Sequence, residues 1–90
     1  MVRFLFPSLF LKITKEKETD IEAKTLGEAL EGLVEKYGDS FRDLILEKPG
    51  ELNRYLRFFI KGRSISELND MDTQLGEGDE IAILIIIGGG

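Results

Sequence analysis

Apolar and polar positions alternate at the start of the chain, where Val2, Phe4 and Phe6 are separated by Arg3 and Leu5 and the run closes at Pro7. A period of two predicts a first strand here. Across 11–23 a second extended segment is expected, with "KEKETD" as a polar turn between two arms of a hairpin and Ile21 and Ala23 on its inner face. The period then changes. In "TLGEALEGLVEKYG", Leu26, Leu30, Leu33, Val34 and Tyr37 recur at helical spacing and form one stripe. Thr25 is placed to cap the helix N-terminus, and Glu28, three residues on, completes a capping box. Gly38 supplies the left-handed residue that ends a helix. Gly27 and Gly32 weaken the helix intrinsically, so packing rather than propensity must hold it.

Past Gly38 the pattern loosens. "SFRDLIL" predicts a short second helix with Phe41, Leu44 and Ile45 inward, and the Pro-Gly of "EKPGEL" a turn. "LRFFI" predicts a strand, and Lys61-Gly62 a tight turn into a short strand around Ile65. "SELNDMDTQLGEGDE" reads as loop, with Leu68 and Leu75 reaching into the core, and Gly78-Asp79 turns the chain into a last strand over 81–87. The order is strand, strand, helix, strand, short strand, strand. One helix covers one sheet face, so the economical packing is a mixed sheet curled around it with the other face toward solvent. That is an α+β, β-grasp arrangement, with the first and last strands parallel at the centre. Residues 1–87 are expected to form the domain and 88–90 a glycine tail.

Alternation along the last strand puts Ile81, Ile83, Ile85 and Ile87 on one face and Ala82, Leu84 and Ile86 on the other. The isoleucine row is the better candidate for the core. The second row has no helix left to meet. Together with Leu5 it predicts an apolar, partner-binding patch. The competing expectation is that "SFRDLIL" covers it.

Gly88, Gly89 and Gly90 follow. A phosphate-binding loop sets its glycines before a helix, which this arrangement does not offer. An unanchored tail is the bland reading. The chemical one is that residues without a Cβ thread a channel too narrow for any other, and three extended residues reach about 10 Å from the folded body. A terminal glycine also leaves its carboxyl carbon open to attack.

Composition narrows the chemistry. Ninety residues support one modest core. With no Cys there is no disulfide, thiolate nucleophile or thiolate metal site, and with no His the commonest general base and metal ligand is missing. No metal or bound cofactor is expected. A net charge of −5 argues against nucleic acid, which needs a basic footprint. The apolar N-terminus is broken by Arg3, Pro7 and Lys12 and reads as a strand, not a signal peptide. The last apolar run falls far short of the roughly 20 residues that span a bilayer. No membrane partner and a cytoplasmic location are expected.

"FFIKGRSI" followed by "DTQLGEGDEIAILIIIGGG" resembles the molybdopterin synthase small subunit (MoaD-like), within the ubiquitin-like sulfur carriers that include the thiamine carrier ThiS. The family ending is a Gly-Asp-Glu turn, a hydrophobic strand and a terminal Gly-Gly. Here these are Gly78-Asp79-Glu80, residues 81–87 and Gly89-Gly90. "MVRFLF" and the capped helix match as well. The chain departs from the family at Ile85-Ile86-Ile87, where a Pro-Pro-Val-like stretch is usual, and at Lys61-Gly62, where Asn-Gly is common. The resemblance implies a partner-run cycle. A ubiquitin-activating-type adenylyltransferase uses ATP to adenylate the Gly90 carboxylate, and a sulfur donor converts it to a thiocarboxylate. In the molybdopterin synthase large subunit that sulfur passes to precursor Z. The rivals are a thiamine-pathway carrier, a ubiquitin-like modifier and, of another class, a β-grasp interaction module with incidental glycines.

Overall fold

The computed structural model of the chain describes residues 1–48, 51–60, 63–64 and 71–86. In chain order these form β1 (Val2–Leu5), a 3-10 turn (Ser8–Phe10), α1 (Leu11–Thr14), β2 (Glu18–Ile21), α2 (Leu26–Tyr37), α3 (Asp39–Ile45), β3 (Leu46–Lys48), β4 (Glu51–Leu52), β5 (Leu56–Ile60), β6 (Arg63–Ser64) and β7 (Glu80–Ile85). Five strands make one sheet in the order β2-β1-β7-β5-β6, and β3 and β4 pair separately. β1 and β7 lie side by side and parallel, as expected, and every other pairing is antiparallel. This is the ubiquitin-like β-grasp, a mixed sheet holding one main helix.

Helix α2 forms where the stripe predicts. The Thr25 hydroxyl accepts from the Glu28 amide at 3.2 Å, and the Glu28 carboxylate reaches back to the Lys24 amide at 3.1 Å, one residue earlier than in the usual box. Gly38, with φ 89°, ends the helix. Leu26, Ala29, Leu30 and Leu33 are buried against Val2, Phe4, Phe58, Ile60, Ile81 and Ile83. Burying each large side chain contributes roughly 1.5–3 kcal/mol, enough to hold a helix that its two glycines weaken. Gly27 has a structural reason. The amides of Leu26 and Gly27 donate to the carbonyls of Thr73 (3.0 Å) and Met71 (2.9 Å), and a Cβ on Gly27 would sit 3.1 Å from the Met71 oxygen. Donors normally left free at a helix N-terminus are thus satisfied by the segment leading to β7. Leu75, expected to reach inward, is half-buried against the core.

The hairpin expected within 11–23 does not form. Leu11–Thr14 is a helical turn ended by Lys15 at φ 64°, and the partner of β1 is β2, which begins at Glu18 inside the supposed polar turn. The cause is aromatic packing. Phe10 is buried and lies within 6.1 Å of the ring of Phe6 and 5.6 Å of that of Phe41, with Tyr37 5.4 Å from Phe41. That cluster draws the connection inward and spaces it with a helical turn. Phe6 therefore serves this cluster beyond the end of β1. The segment Asp39–Ile45 is helical as read, with Phe41 and Ile45 buried and Leu44 half-buried. The Pro49-Gly50 and Lys61-Gly62 turns, Ile65, Leu68 and Ile87 lie outside the described residues. The short sixth strand is Arg63–Ser64, and the last strand runs over Glu80–Ile85, not 81–87. No helix among the described residues is long and apolar enough to cross a membrane.

Candidate functional site

The turn before β7 sets the strand's register. Gly78 has φ 84°, the Asp79 carboxylate accepts the Gly76 amide at 2.7 Å, and the Asp79 carbonyl accepts the Arg3 amide at 2.9 Å. Gly-Asp-Glu is thereby the clamp that starts the parallel pairing Arg3↔Glu80, Phe4↔Ile81, Leu5↔Ala82. From that register Ile81 (0% exposed) and Ile83 (1%) go into the core, while Leu84 (41%) and Ile86 (45%) stay exposed on the side away from α2. "SFRDLIL" does not cover them, because its apolar residues are spent in the core. Leu5 and Ala82 are half-buried instead of exposed, because neighbouring strands flank both of them.

Ladder partners share a face, so the register completes the outer surface. Leu5, Ala82 and Phe59 form one row across β1, β7 and β5, and Arg57 stands beside Leu84. Tyr55 and Ile86 extend the ladder past β7, the Ile86 amide donating to the Tyr55 carbonyl at 2.8 Å. Phe59, Arg57 and Tyr55 were not among the residues read from the sequence. The signal was present in "LRFFI", where Leu56, Phe58 and Ile60 alternate inward and leave Arg57 and Phe59 outward.

The charged groups frame this surface unevenly. On the β2 side Arg3 pairs with Asp20 at 2.9 Å and Glu18 at 3.4 Å. That hydrogen bond holds the Asp20 carboxyl below its ordinary range and raises the guanidinium. On the β5 side Arg57 donates from Nη1 to the carbonyls of Arg54 (2.7 Å) and Leu56 (2.8 Å), and Arg54 pairs with Glu47 at 2.9 Å. Behind the sheet Tyr37 donates to Glu16, which also pairs with Lys36 at 3.3 Å. The Tyr37 bond lowers the Glu16 carboxyl, and burial raises the Tyr37 hydroxyl. A groove of about 480 Å³ lies elsewhere, along α2, with Leu30, Val34, Ile45, Leu46, Leu52 and Met71 in its lining. Among the described residues the outer face is therefore apolar at its centre, with charged side chains at its edges. Gly88, Gly89 and Gly90 lie outside the described residues.

Comparison with known proteins gives the same outline. The ThiS family matches residues 5–90. A candidate sulfur carrier protein of Archaeoglobus fulgidus is 29% identical over 73 residues, covering 81% of this chain and 82% of that protein. Small archaeal modifier protein 1 of Methanosarcina acetivorans superposes with a TM-score of 0.82 at 25% identity, over 99% of this chain and 95% of that one. CysO of Amycolatopsis orientalis, solved in complex with BexX, reaches a TM-score of 0.82 at 19% identity with both chains fully covered. The chain belongs to the ThiS family, and is a ubiquitin-like protein of its sulfur carrier and modifier class.

Proposed function

We propose that the chain is a sulfur carrier that works through Gly90, with molybdopterin synthase as the destination of its sulfur. The family match through residue 90, glycines included, carries the sulfur-carrier part of this reading, and the resemblance of the C-terminal segment to the molybdopterin synthase small subunit supports the destination. A carboxylate is a poor electrophile because it is anionic and lacks a good leaving group. In a ubiquitin-activating-type adenylyltransferase, the Gly90 carboxylate attacks the α-phosphorus of ATP and pyrophosphate departs. A persulfide sulfur of the donor then displaces AMP from the acyl carbon. A second thiol cleaves the resulting acyl disulfide, leaving the thiocarboxylate on Gly90. ATP is thus a substrate of the partner, and the carrier holds no cofactor. The large subunit of molybdopterin synthase next takes up the tail and passes the sulfur to its substrate. This division of labour accounts for a chain without His or Cys. The cycle runs in the cytoplasm.

The outer face around Leu5, Ala82, Leu84 and Ile86 is the docking surface, and Gly88 and Gly89 thread the partner's channel. A second reading, a protein modifier joined through Gly90 to an amine, is favoured by the 25% identity to an archaeal modifier. Both begin with adenylation. The test is pyrophosphate exchange with the cognate activating enzyme, expected for the wild type and lost when Gly90 is deleted. The thiocarboxylated protein is then mixed with the large subunit and precursor Z. Dithiolene formation supports the first destination, whereas a Gly90–lysine isopeptide in cell extracts with no dithiolene supports the modifier.

A further inference from the structure

The outer face is not uniform. Leu5 and Ala82 are half-buried, whereas Leu84, Ile86 and Tyr55 (51% exposed) stand out together where β7 leaves the sheet. The remaining large exposed apolar residues among those described, Met1 and Leu9, are not part of this ladder. A cation also stands beside this row in a chain of net charge −5. Arg57 is the ladder partner of Leu84, and the Arg54 guanidinium lies 5.8 Å from the centre of the Tyr55 ring. Two backbone carbonyls engage one nitrogen of Arg57, which leaves donors of a five-donor fork to spare, and no described carboxylate forms an ion pair with it. Arg3, at the opposite edge, is already engaged by Asp20 and Glu18. Tyr and Arg are residue types enriched in binding hot spots, and here Tyr55 and Arg57 stand beside the exposed apolar surface of Leu84 and Ile86.

We infer that the root of the tail is the energetic centre of the docking face, and that it fits a protein cleft with an apolar floor and carboxylates on its border. The floor receives Tyr55, Leu84 and Ile86, and the carboxylates meet Arg57. This rests on the sulfur-carrier reading, which makes the cleft the mouth of the adenylating site. Chain length places it there: the four residues from Ile86 to Gly90 span at most about 14 Å, so whatever holds Ile86 lies within that distance of the reacting phosphorus. The same limit gives little energetic weight to the β2 edge, which sits farther from the tail and has its cation already paired.

The experiment is steady-state adenylation with the cognate adenylyltransferase, varying the carrier concentration at several ionic strengths. Arg57→Glu and Tyr55→Ser are expected to raise KM for the carrier about tenfold or more with kcat within about twofold, and Arg57→Lys to fall between them and the wild type. Wild-type KM should rise with salt, and that dependence should flatten in Arg57→Glu. Lys12→Glu, a charge reversal away from this face, should change nothing. Each variant's thermal midpoint is compared with the wild type. Tyr55→Ser, at a residue 51% exposed, keeps the test decisive if Arg57→Glu is unstable. Unchanged KM and salt dependence in these variants, with the wild type adenylated normally, overturns the inference. A wild type that is not adenylated at all removes the sulfur-carrier reading, and this inference with it.

Discussion

The two faces of β7 are made of nearly the same amino acids and meet opposite surroundings. Ile81 and Ile83 are enclosed by α2, β1 and β5, while Leu84 and Ile86 on the other side meet solvent. Hydrophobicity does not separate them, because an Ile and a Leu bury equally well. What separates them is that the protein has one main helix and therefore one covered face. The inner row is held by packing and sets stability. The outer row is exposed and should contribute little to stability, and under the proposed function it meets a partner.

Substitutions on each side put this contrast at risk, and the largest expected effect is on the inner row. Ile83→Ala should lose about 2–5 kcal/mol in urea unfolding, because it leaves a cavity beneath α2. Leu84→Ala should stay within about 1 kcal/mol of the wild type. Equal losses at the two positions would erase the distinction between the faces. Next in size, Leu84→Asp should abolish co-elution with the activating enzyme or the large subunit in gel filtration, with the circular dichroism spectrum unchanged. Unfolding of that variant would instead assign Leu84 to the core.

A smaller effect sharpens the account of the inner face. Thr25→Ala should cost about 1 kcal/mol, since one amide at the start of α2 loses its acceptor. The smallest effect belongs to two carboxylates, Asp20 at the β2 edge and Glu16 behind the sheet. The carboxyls of Glu16 and Asp20 lie below their ordinary range, Glu16 through Tyr37 and then Lys36, Asp20 through Arg3. The unfolded chain therefore takes up these protons at higher pH than the folded one. Their contribution is complete above the ordinary carboxylate range, about pH 4, and fades as the pH falls through the lower folded values. Urea midpoints between pH 7 and pH 3 should decline in that window, and less steeply in Glu16→Gln.

Sequence periodicity was most informative where one element meets the core along its whole length. The stripe Leu26, Leu30, Leu33 and the alternation of 81–85 each state a buried face, and the structure buries those residues except Ile85, which is half-buried. The region 11–23 was misread because its fold depends on a distant contact. Phe10 is drawn inward by Phe41, some thirty residues later, and no local period carries that information. The outer face was half legible. Leu84 and Ile86 follow from alternation within one strand, but Arg57, Phe59 and Tyr55 join them only through the β5–β7 register. Gly27 looked like a weakness in the helix until the Met71 carbonyl appeared against it.

The central claim is that Gly90 is the reacting group and the folded body its handle. Intact mass spectrometry tests it most directly, after incubation of the protein with the cognate activating enzyme, ATP and a sulfur donor. The wild type is expected to exchange one oxygen for one sulfur, localised by fragmentation to Gly90. Deleting Gly90, which shortens the reach by about 3.5 Å, and Gly89→Ile, which puts a branched side chain in the channel, should both prevent the exchange without changing the thermal midpoint. An unchanged wild-type mass with active partners, or sulfur incorporated into the chain lacking Gly90, would contradict it and leave the interaction-module reading in its place.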